Sequence, residues 1–212
     1  MAAEKCYHAA TVSSGEEFDR ADLAWVEITE NPWNFAYTPK ARAQLALDLT
    51  TGGFWVRLQT EEDRKAMSLV SREVNGRVWE DTCLEFFVNP CPQDGLGYLN
   101  FEANALGVML LGVHTPQDDC QTYEFDESIF QMRAMQETLP NGRVRWTLRY
   151  FVPFTYIKRW FPQFEAKAGM EIAGNFYKCG DLCPQEHYLA WSPIEWEQPS
   201  FHRPEFFGKI CF

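Results

Sequence analysis

Glu85 and Glu102 are the first residues to weigh, because each is an acid set inside an apolar or aromatic run. The runs are Cys83-Leu84-Glu85-Phe86-Phe87-Val88 and Tyr98-Leu99-Asn100-Phe101-Glu102-Ala103-Asn104. Two carboxyls roughly 5–10 Å apart across a cleft are what glycoside hydrolysis needs, and adjacent strands can supply that spacing. A second constellation, Cys179, Cys183 and His187, offers zinc-type donors. Its Cys-x3-Cys-x3-His spacing is not a standard zinc pattern, and no second Cys pair follows. Gly180 and Pro184 also oppose a helix that would gather the three on one face. The chain lacks Gly-x-Ser-x-Gly, His-Glu-x-x-His, a P-loop and a dinucleotide fingerprint.

Three further features come in a fixed order. Trp79 stands six residues before Glu85. The strand-like run from Tyr98 to Asn104 leads to Gly107. A tail carries Gly174-Asn175-Phe176-Tyr177-Lys178-Cys179-Gly180-Asp181, then Tyr188-Leu189-Ala190-Trp191-Ser192-Pro193, then Phe201-His202-Arg203-Pro204-Glu205-Phe206-Phe207-Gly208. Each motif is short, but the ordered set resembles the family 9 carbohydrate-binding modules and their DOMON-type β-sandwich relatives. The resemblance covers roughly residues 20 to 212.

That resemblance implies a non-catalytic sugar-binding fold. A pyranose offers flat C–H patches that stack on aromatic faces and a rim of hydroxyls needing directional partners. In the family two aromatic plates clamp the sugar. They fall on Trp79 and on Phe201, where a Phe replaces the larger Trp. The polar partners map onto Glu85 and Asn104. Glu102 stands where the best-known sugar binders have Arg, and Lys178 where they have Gln, so these two are expected to pair with each other or with Glu85. His202 and Arg203 are expected at the rim. Trp79 reads equally as a cover for the sandwich edge, and the acids and Lys178 as a satisfied ion-pair network. Related modules carry structural calcium, for which Asp118, Asp119, Asp126 and Glu127 are the candidate donors. A haem-binding DOMON-type reading would draw on His8, His114, His187, His202 and the methionines.

The elements that must position these residues read as strands. Residues 43–50 and 54–59 form a hairpin around Thr51-Gly52-Gly53. Leu84, Phe86 and Val88 should face the core, with Glu85 and Phe87 on the opposite side. Val144, Trp146, Leu148 and Tyr150 alternate with Arg145, Thr147 and Arg149 after Asn141-Gly142, the pattern of an antiparallel hairpin whose first arm holds Phe130, Met132 and Ala134. Pro153 should end that strand and a short helix follow over 154–161. Further strands are expected at 172–179, 188–191 and 208–212. The sum is an all-β antiparallel sandwich over residues 23–212 with one short helix, preceded by a polar lead-in over 1–22.

Composition narrows the function. The 17 Phe, 8 Trp and 8 Tyr exceed what a core of 212 residues needs. The net charge of -11 opposes nucleic acid or an anionic membrane as partner. No stretch approaches the ~20 apolar residues of a membrane span. The N-terminal residues show no apolar signal region, the seven Cys form no regular framework, and no Asn-x-Ser/Thr sequon occurs. A cytoplasmic protein is expected, or an extracellular one if a leader has been removed. The expected function is recognition of a mono- or oligosaccharide, with attachment to an enzyme domain in related proteins. Two alternatives stay open: an intracellular interaction or metabolite-binding module with a repurposed pocket, and a glycan-processing enzyme.

Overall fold

The computed structural model describes residues 5–115 and 118–212, with the side chains of 118–120 outside the description. Among the described residues, fourteen strands form two sheets. In chain order they are β1 (Cys6–His8), β2 (Ala10–Val12), β3 (Val26–Glu27), β4 (Lys40–Asp48), β5 (Gly53–Glu62), β6 (Cys83–Asn89) and β7 (Tyr98–Asn104). There follow β8 (Met109–Thr115), β9 (Asp118–Thr122), β10 (Arg133–Thr138), β11 (Val144–Pro153), β12 (Glu171–Cys179), β13 (Tyr188–Ala190) and β14 (Gly208–Cys211). One sheet runs β1-β14-β12-β6-β7-β8-β9, with β13 also paired to β12. The other runs β10-β11-β5-β4-β2, with β3 on β4.

Both expected hairpins are present, but the first arm of the second is displaced. Of Phe130, Met132 and Ala134 only Ala134 lies in β10, while Phe130 is buried in the 3-10 turn Glu127–Phe130. β4 and β5 pair antiparallel from Lys40↔Glu61 to Asp48↔Gly53, and the Asp48 carboxylate accepts the Thr50 and Thr51 amides at 3.0 and 2.8 Å across the turn. β11 pairs with both β10 and β5. Its inward residues Val144, Trp146, Leu148 and Tyr150 meet Leu84, Phe86 and Val88 of β6 and Phe176 of β12 in one core between the sheets. Burying each such side chain stabilises the fold by roughly 1.5–3 kcal/mol before entropy is counted. β10 is exposed along its whole length, as an edge strand with charged residues can be.

Two expectations need correction. Residues 1–22 do not form a loose lead-in where they are described. β1 pairs parallel with β14 and β2 parallel with β4, so this segment adds a strand to each sheet. Between them and β3 lies a helix the sequence reading missed, α1 (Gly15–Arg20). The Ser14 hydroxyl caps it by accepting the Glu17 amide, and Glu17 reaches back to the Ser13 amide at 2.7 Å. Its Phe18 stacks on Trp55 and covers the outer face of the second sheet. The expected helix after Pro153 is α2 (Phe154–Trp160), so two short helices are described rather than one.

The outer face of the first sheet carries a separate apolar cluster: Phe87, Tyr98, Tyr177 and Phe201 at its heart, with Trp79 and Tyr188 packed partly against it. A sandwich sheet that turns apolar side chains outward must be covered or must present a groove. Here loops cover part of it and leave the rest open.

Candidate functional site

Period-2 alternation puts Glu85 and Phe87 on the outer face of β6, and Tyr98, Asn100, Glu102 and Asn104 on the same face of β7. Glu85 and Glu102 are direct register partners. They floor a cavity of about 360 Å³ walled by Trp79, Cys179, Asp181, Tyr188 and the segment 199–202. That volume lies within the roughly 300–1,000 Å³ of small-ligand clefts. Among the described residues that line it there is no Lys or Arg.

The walls are set by local chemistry. Trp79 sits in a 3-10 turn (Val78–Glu80), half-buried, its carbonyl accepting the Asp181 amide at 3.2 Å. Asp81 holds the preceding loop, accepting the Val70 and Ser71 amides and the Ser68 hydroxyl at 2.8–3.0 Å. Phe201 is buried and lies flat on Tyr177, with centroids 4.0 Å apart and planes 6° apart. One of its faces is therefore used by the protein itself. Where this loop enters β14, Gly208 leaves room for the Trp191 ring, from which an added Cβ would stand 2.7 Å.

The floor is short of partners. The Cys179 thiol donates to Glu85 Oε1 at 2.9 Å, and Asn100 Nδ2 donates to Glu102 Oε1 at 2.8 Å. Asn100 in turn bonds His114 Nε2 at 3.1 Å, and Gly112 opposite it leaves room, since a Cβ there would stand 2.1 Å from Asn100 Oδ1. His114 stacks on Tyr98, whose hydroxyl bonds His202 Nδ1 at 2.9 Å. Glu102 Oε2 is buried and finds no hydrogen-bond partner among the described residues.

Burial sets the protonation of these groups. Loss of water raises Glu85 well above the usual carboxylate range, and the Glu102 charge adds to that. Glu102 is raised to about 7, chiefly by burial, against the Asn100 hydrogen bond. Asp181, at the wall, is raised to about 6 by burial, with Glu186 adding to it. His114 is lowered to about 3 by burial and by its neighbour His202. The cavity thus holds three carboxyls whose charge costs free energy, with no Lys or Arg among its described lining residues and only the buried Lys178 ammonium to lower Glu85 in part.

Of the residues expected at the site, Trp79, Glu85, Glu102, Phe201 and His202 line one cavity. Lys178 and Asn104 do not. Lys178 pairs in register with the inward-facing Leu84, so it points between the sheets. There its ammonium meets Glu62 at 2.8 Å, Thr82 at 3.0 Å and His187 Nε2 at 2.7 Å, with all four side chains buried. The expected pairing with Glu102 or Glu85 is replaced by this inter-sheet ion pair. Asn104 is buried and organises the β7–β8 turn, accepting the Leu106 and Val108 amides and donating to Ser71 and Asp81. Arg203 leaves the rim and stacks on Trp196 at 3.4 Å.

The sequence reading missed Cys179, Asp181 and Tyr188 as wall residues. The one signal for them was their place in the tail motif, Cys179 and Asp181 in its first segment and Tyr188 in its second. The zinc triad does not form. His187 Nε2 accepts from Lys178 while its Nδ1–H donates to the Gln185 carbonyl at 2.7 Å, and burial lowers it to about 3. Cys179 instead groups with Cys83 and Glu85 under the cavity, but burial raises both thiols, Cys83 to about 12. Protonated thiols bind metal poorly, and the three read as a hydrogen-bonded set. Of the calcium candidates, the side chains of Asp118 and Asp119 lie outside the described residues. Asp126 caps the 3-10 turn Glu127–Phe130 by accepting the Ser128 amide at 2.9 Å.

Known proteins place this chain in a family. The chain is 28% identical to a Bacteroides uniformis protein provisionally assigned as carbohydrate-binding, over 99% of each chain, with a TM-score of 0.80. A family 9 carbohydrate-binding module of Caldicellulosiruptor kristjanssonii, solved with glucose, shares the fold at 12% identity over 98% of this chain and 95% of that one, with a TM-score of 0.54. The same organism's family 9 module with cellotriose gives 11% identity, coverage of 98% and 93%, and a TM-score of 0.57. No curated protein sequence matches significantly. The model of carbohydrate-binding family 9 matches residues 13–212, and the chain belongs to that family.

Proposed function

We propose that the cavity above Glu85 and Glu102 is a saccharide-binding site and that the protein is a non-catalytic carbohydrate-binding module. The observation that carries this is the juxtaposition of a half-exposed indole, Trp79, with a buried carboxylate oxygen, Glu102 Oε2, that has no partner among the described residues. A sugar ring answers both, stacking its C–H face on the indole and donating a hydroxyl to the oxygen. Family membership supports the reading, and two solved relatives hold glucose and cellotriose. Hydrolysis is the second reading. Glu85, raised well above the carboxylate range, beside Glu102 at about 7 sets a protonated carboxyl next to one that ionises near neutral pH. Absence of turnover on a chromogenic glycoside panel would remove it.

Isothermal titration with glucose, cello-oligosaccharides and a panel of hexoses tests the proposal. One of these should bind in the micromolar to millimolar range, and Trp79→Ala should weaken it by about tenfold, as expected for an aromatic contact worth about 1.4 kcal/mol. Absence of heat and of any thermal shift across the panel would turn the reading toward a repurposed pocket.

A further inference from the structure

A second constellation lies at one edge of the first sheet, where β1 and β14 run side by side. In the parallel register of β1 and β14, Cys6 faces Lys209 and His8 faces Cys211. Cys6 and His8 are two residues apart and share one face, while Tyr7 between them is buried in the core. Cys211 shares that face from the neighbouring strand, with Ile210 turned inward. Cys6 and His8 are exposed and Cys211 is partly exposed. Cys6 Sγ stands 3.7 Å from His8 Nε2 and 3.8 Å from Cys211 Sγ, and the three donor atoms all lie within 4.8 Å of one another.

We propose that Cys6, His8 and Cys211 form a zinc-binding site that clasps the two terminal strands together. The distances carry it. With Zn–S of about 2.3 Å and Zn–N of about 2.0–2.1 Å, a tetrahedral ion sets S···S near 3.8 Å and S···N near 3.5 Å. The two edges at Cys6, 3.8 Å to Cys211 Sγ and 3.7 Å to His8 Nε2, match those values, and the third lies within 4.8 Å, so binding needs only a small turn of the His8 ring. A disulfide fits worse, because Cys6 and Cys211 are diagonal rather than direct partners. Strands about 4.8 Å apart and an offset of two residues, about 6.6 Å, place their Cα atoms about 8 Å apart. That exceeds the roughly 7 Å limit for bridging without backbone movement. Two thiolates and an imidazole select zinc over the oxygen-seeking cations. The fourth position is open to water or to Glu171, the register partner of Cys211, whose Oε2 lies 3.8 Å from its Sγ. Burial and the Cys6 thiol beside it raise the Cys211 thiol to about 11. This cluster opens to solvent, however, unlike the sealed Cys83–Glu85–Cys179 set. Each thiol can therefore give up its proton on binding, which should strengthen as pH rises. The three-residue strand β1 is the element that gains most, since closing the clasp ties it to the last strand of the sheet.

Cobalt substitution tests this on the full chain, reduced and stripped with a chelator. Titration with Co²⁺ should give one equivalent of a tetrahedral spectrum with thiolate charge-transfer bands, displaced by one equivalent of Zn²⁺. The Cys6→Ser/Cys211→Ser pair should abolish that spectrum, and His8→Ala should weaken cobalt binding by about 100-fold or more, beyond the 10–100-fold typical of outer-shell changes. All three positions are at least partly exposed, so the variants should fold, with far-ultraviolet circular dichroism as the check. Cys183→Ser, which removes a thiol elsewhere, should leave the cobalt spectrum intact. The proposal is overturned if no tetrahedral spectrum forms, or if it survives in the double serine variant.

Discussion

Glu85 and Glu102 stand directly opposite one another on β6 and β7, both buried, with only a thiol and an amide as their named hydrogen-bond donors. Like charges directly opposite on neighbouring strands are destabilising, and burial sharpens the cost. An arrangement that weakens the empty protein is what a ligand-filled site can exploit, since hydroxyl donors from a ligand would supply what the chain does not.

The first consequence is a pH dependence with a defined sign. Glu102 is raised from its ordinary 4.5 to about 7 in the folded protein. The folded state therefore holds a proton that the unfolded chain has lost, and stability falls as pH rises from about 4.5 to about 7. Glu85, Asp181 and the Cys179 thiol face the same cavity, and His114 acts through Asn100 in the opposite direction, its contribution rising from about pH 3 upward. Comparison with Glu102→Gln isolates the one carboxyl. The variant should match wild type near pH 4.5 and be more stable at pH 8 by about 1–3 kcal/mol, at about 1.4 kcal/mol per pKa unit. Urea unfolding at the two pH values reads this, and an equal gap at both would contradict it.

Ligand charge should matter. Three carboxyls and no lysine or arginine line the cavity among the described residues. At pH 8 a protonated amino sugar should bind more tightly than its neutral parent, and the matching uronic acid more weakly, by about threefold or more per charge if each is worth about 0.7 kcal/mol or more. Competition titration measures the order, and tightest binding by the uronic acid would reverse the electrostatic picture.

Phe201 and Trp79 should separate under mutation. Phe201 is buried against Tyr177, so Phe201→Ala should cost about 3 kcal/mol of stability. Trp79 is half-buried on a turn, and its loss should cost less stability while removing the stacking surface. Chemical denaturation of both variants shows whether the order holds.

The Lys178–Glu62 pair should behave as a structural tie. Removing one partner of a buried pair leaves an uncompensated charge, so Lys178→Met should destabilise by about 3–5 kcal/mol. Adding Glu62→Gln should restore part of that. In the double variant sugar affinity should be unchanged, because the pair lies between the sheets and not in the cavity. A parallel loss of affinity would return Lys178 to the site.

Much of the architecture was legible in the sequence. Strict alternation in Val144–Tyr150 and the Leu84, Glu85, Phe86, Phe87, Val88 pattern assigned faces correctly, because apolar residues sat on one side and polar or aromatic ones on the other. The order of motifs also identified Trp79, Glu85, Glu102, Phe201 and His202 as neighbours. In Phe176-Tyr177-Lys178-Cys179 that logic fails, since both faces of β12 are buried here and apolar side chains lie on each of them. Only the register with β6 decides that Tyr177 and Cys179 face outward with Glu85 and that Lys178 faces Glu62.

What the sequence determined by itself was local: strand period, turn residues and the ordered signature of the family. What tertiary structure decided was which distant groups share a space. Cys6 and Cys211 are 205 positions apart and meet only because two terminal strands pair side by side. Asp181 and Tyr188 reach the cavity because the turn after β12 folds back along Trp79. The physical reason is the same in each case. A strand's alternation fixes which side a residue takes, but its neighbours come from pairing across the sheet, and pairing is settled by the packing of the whole core.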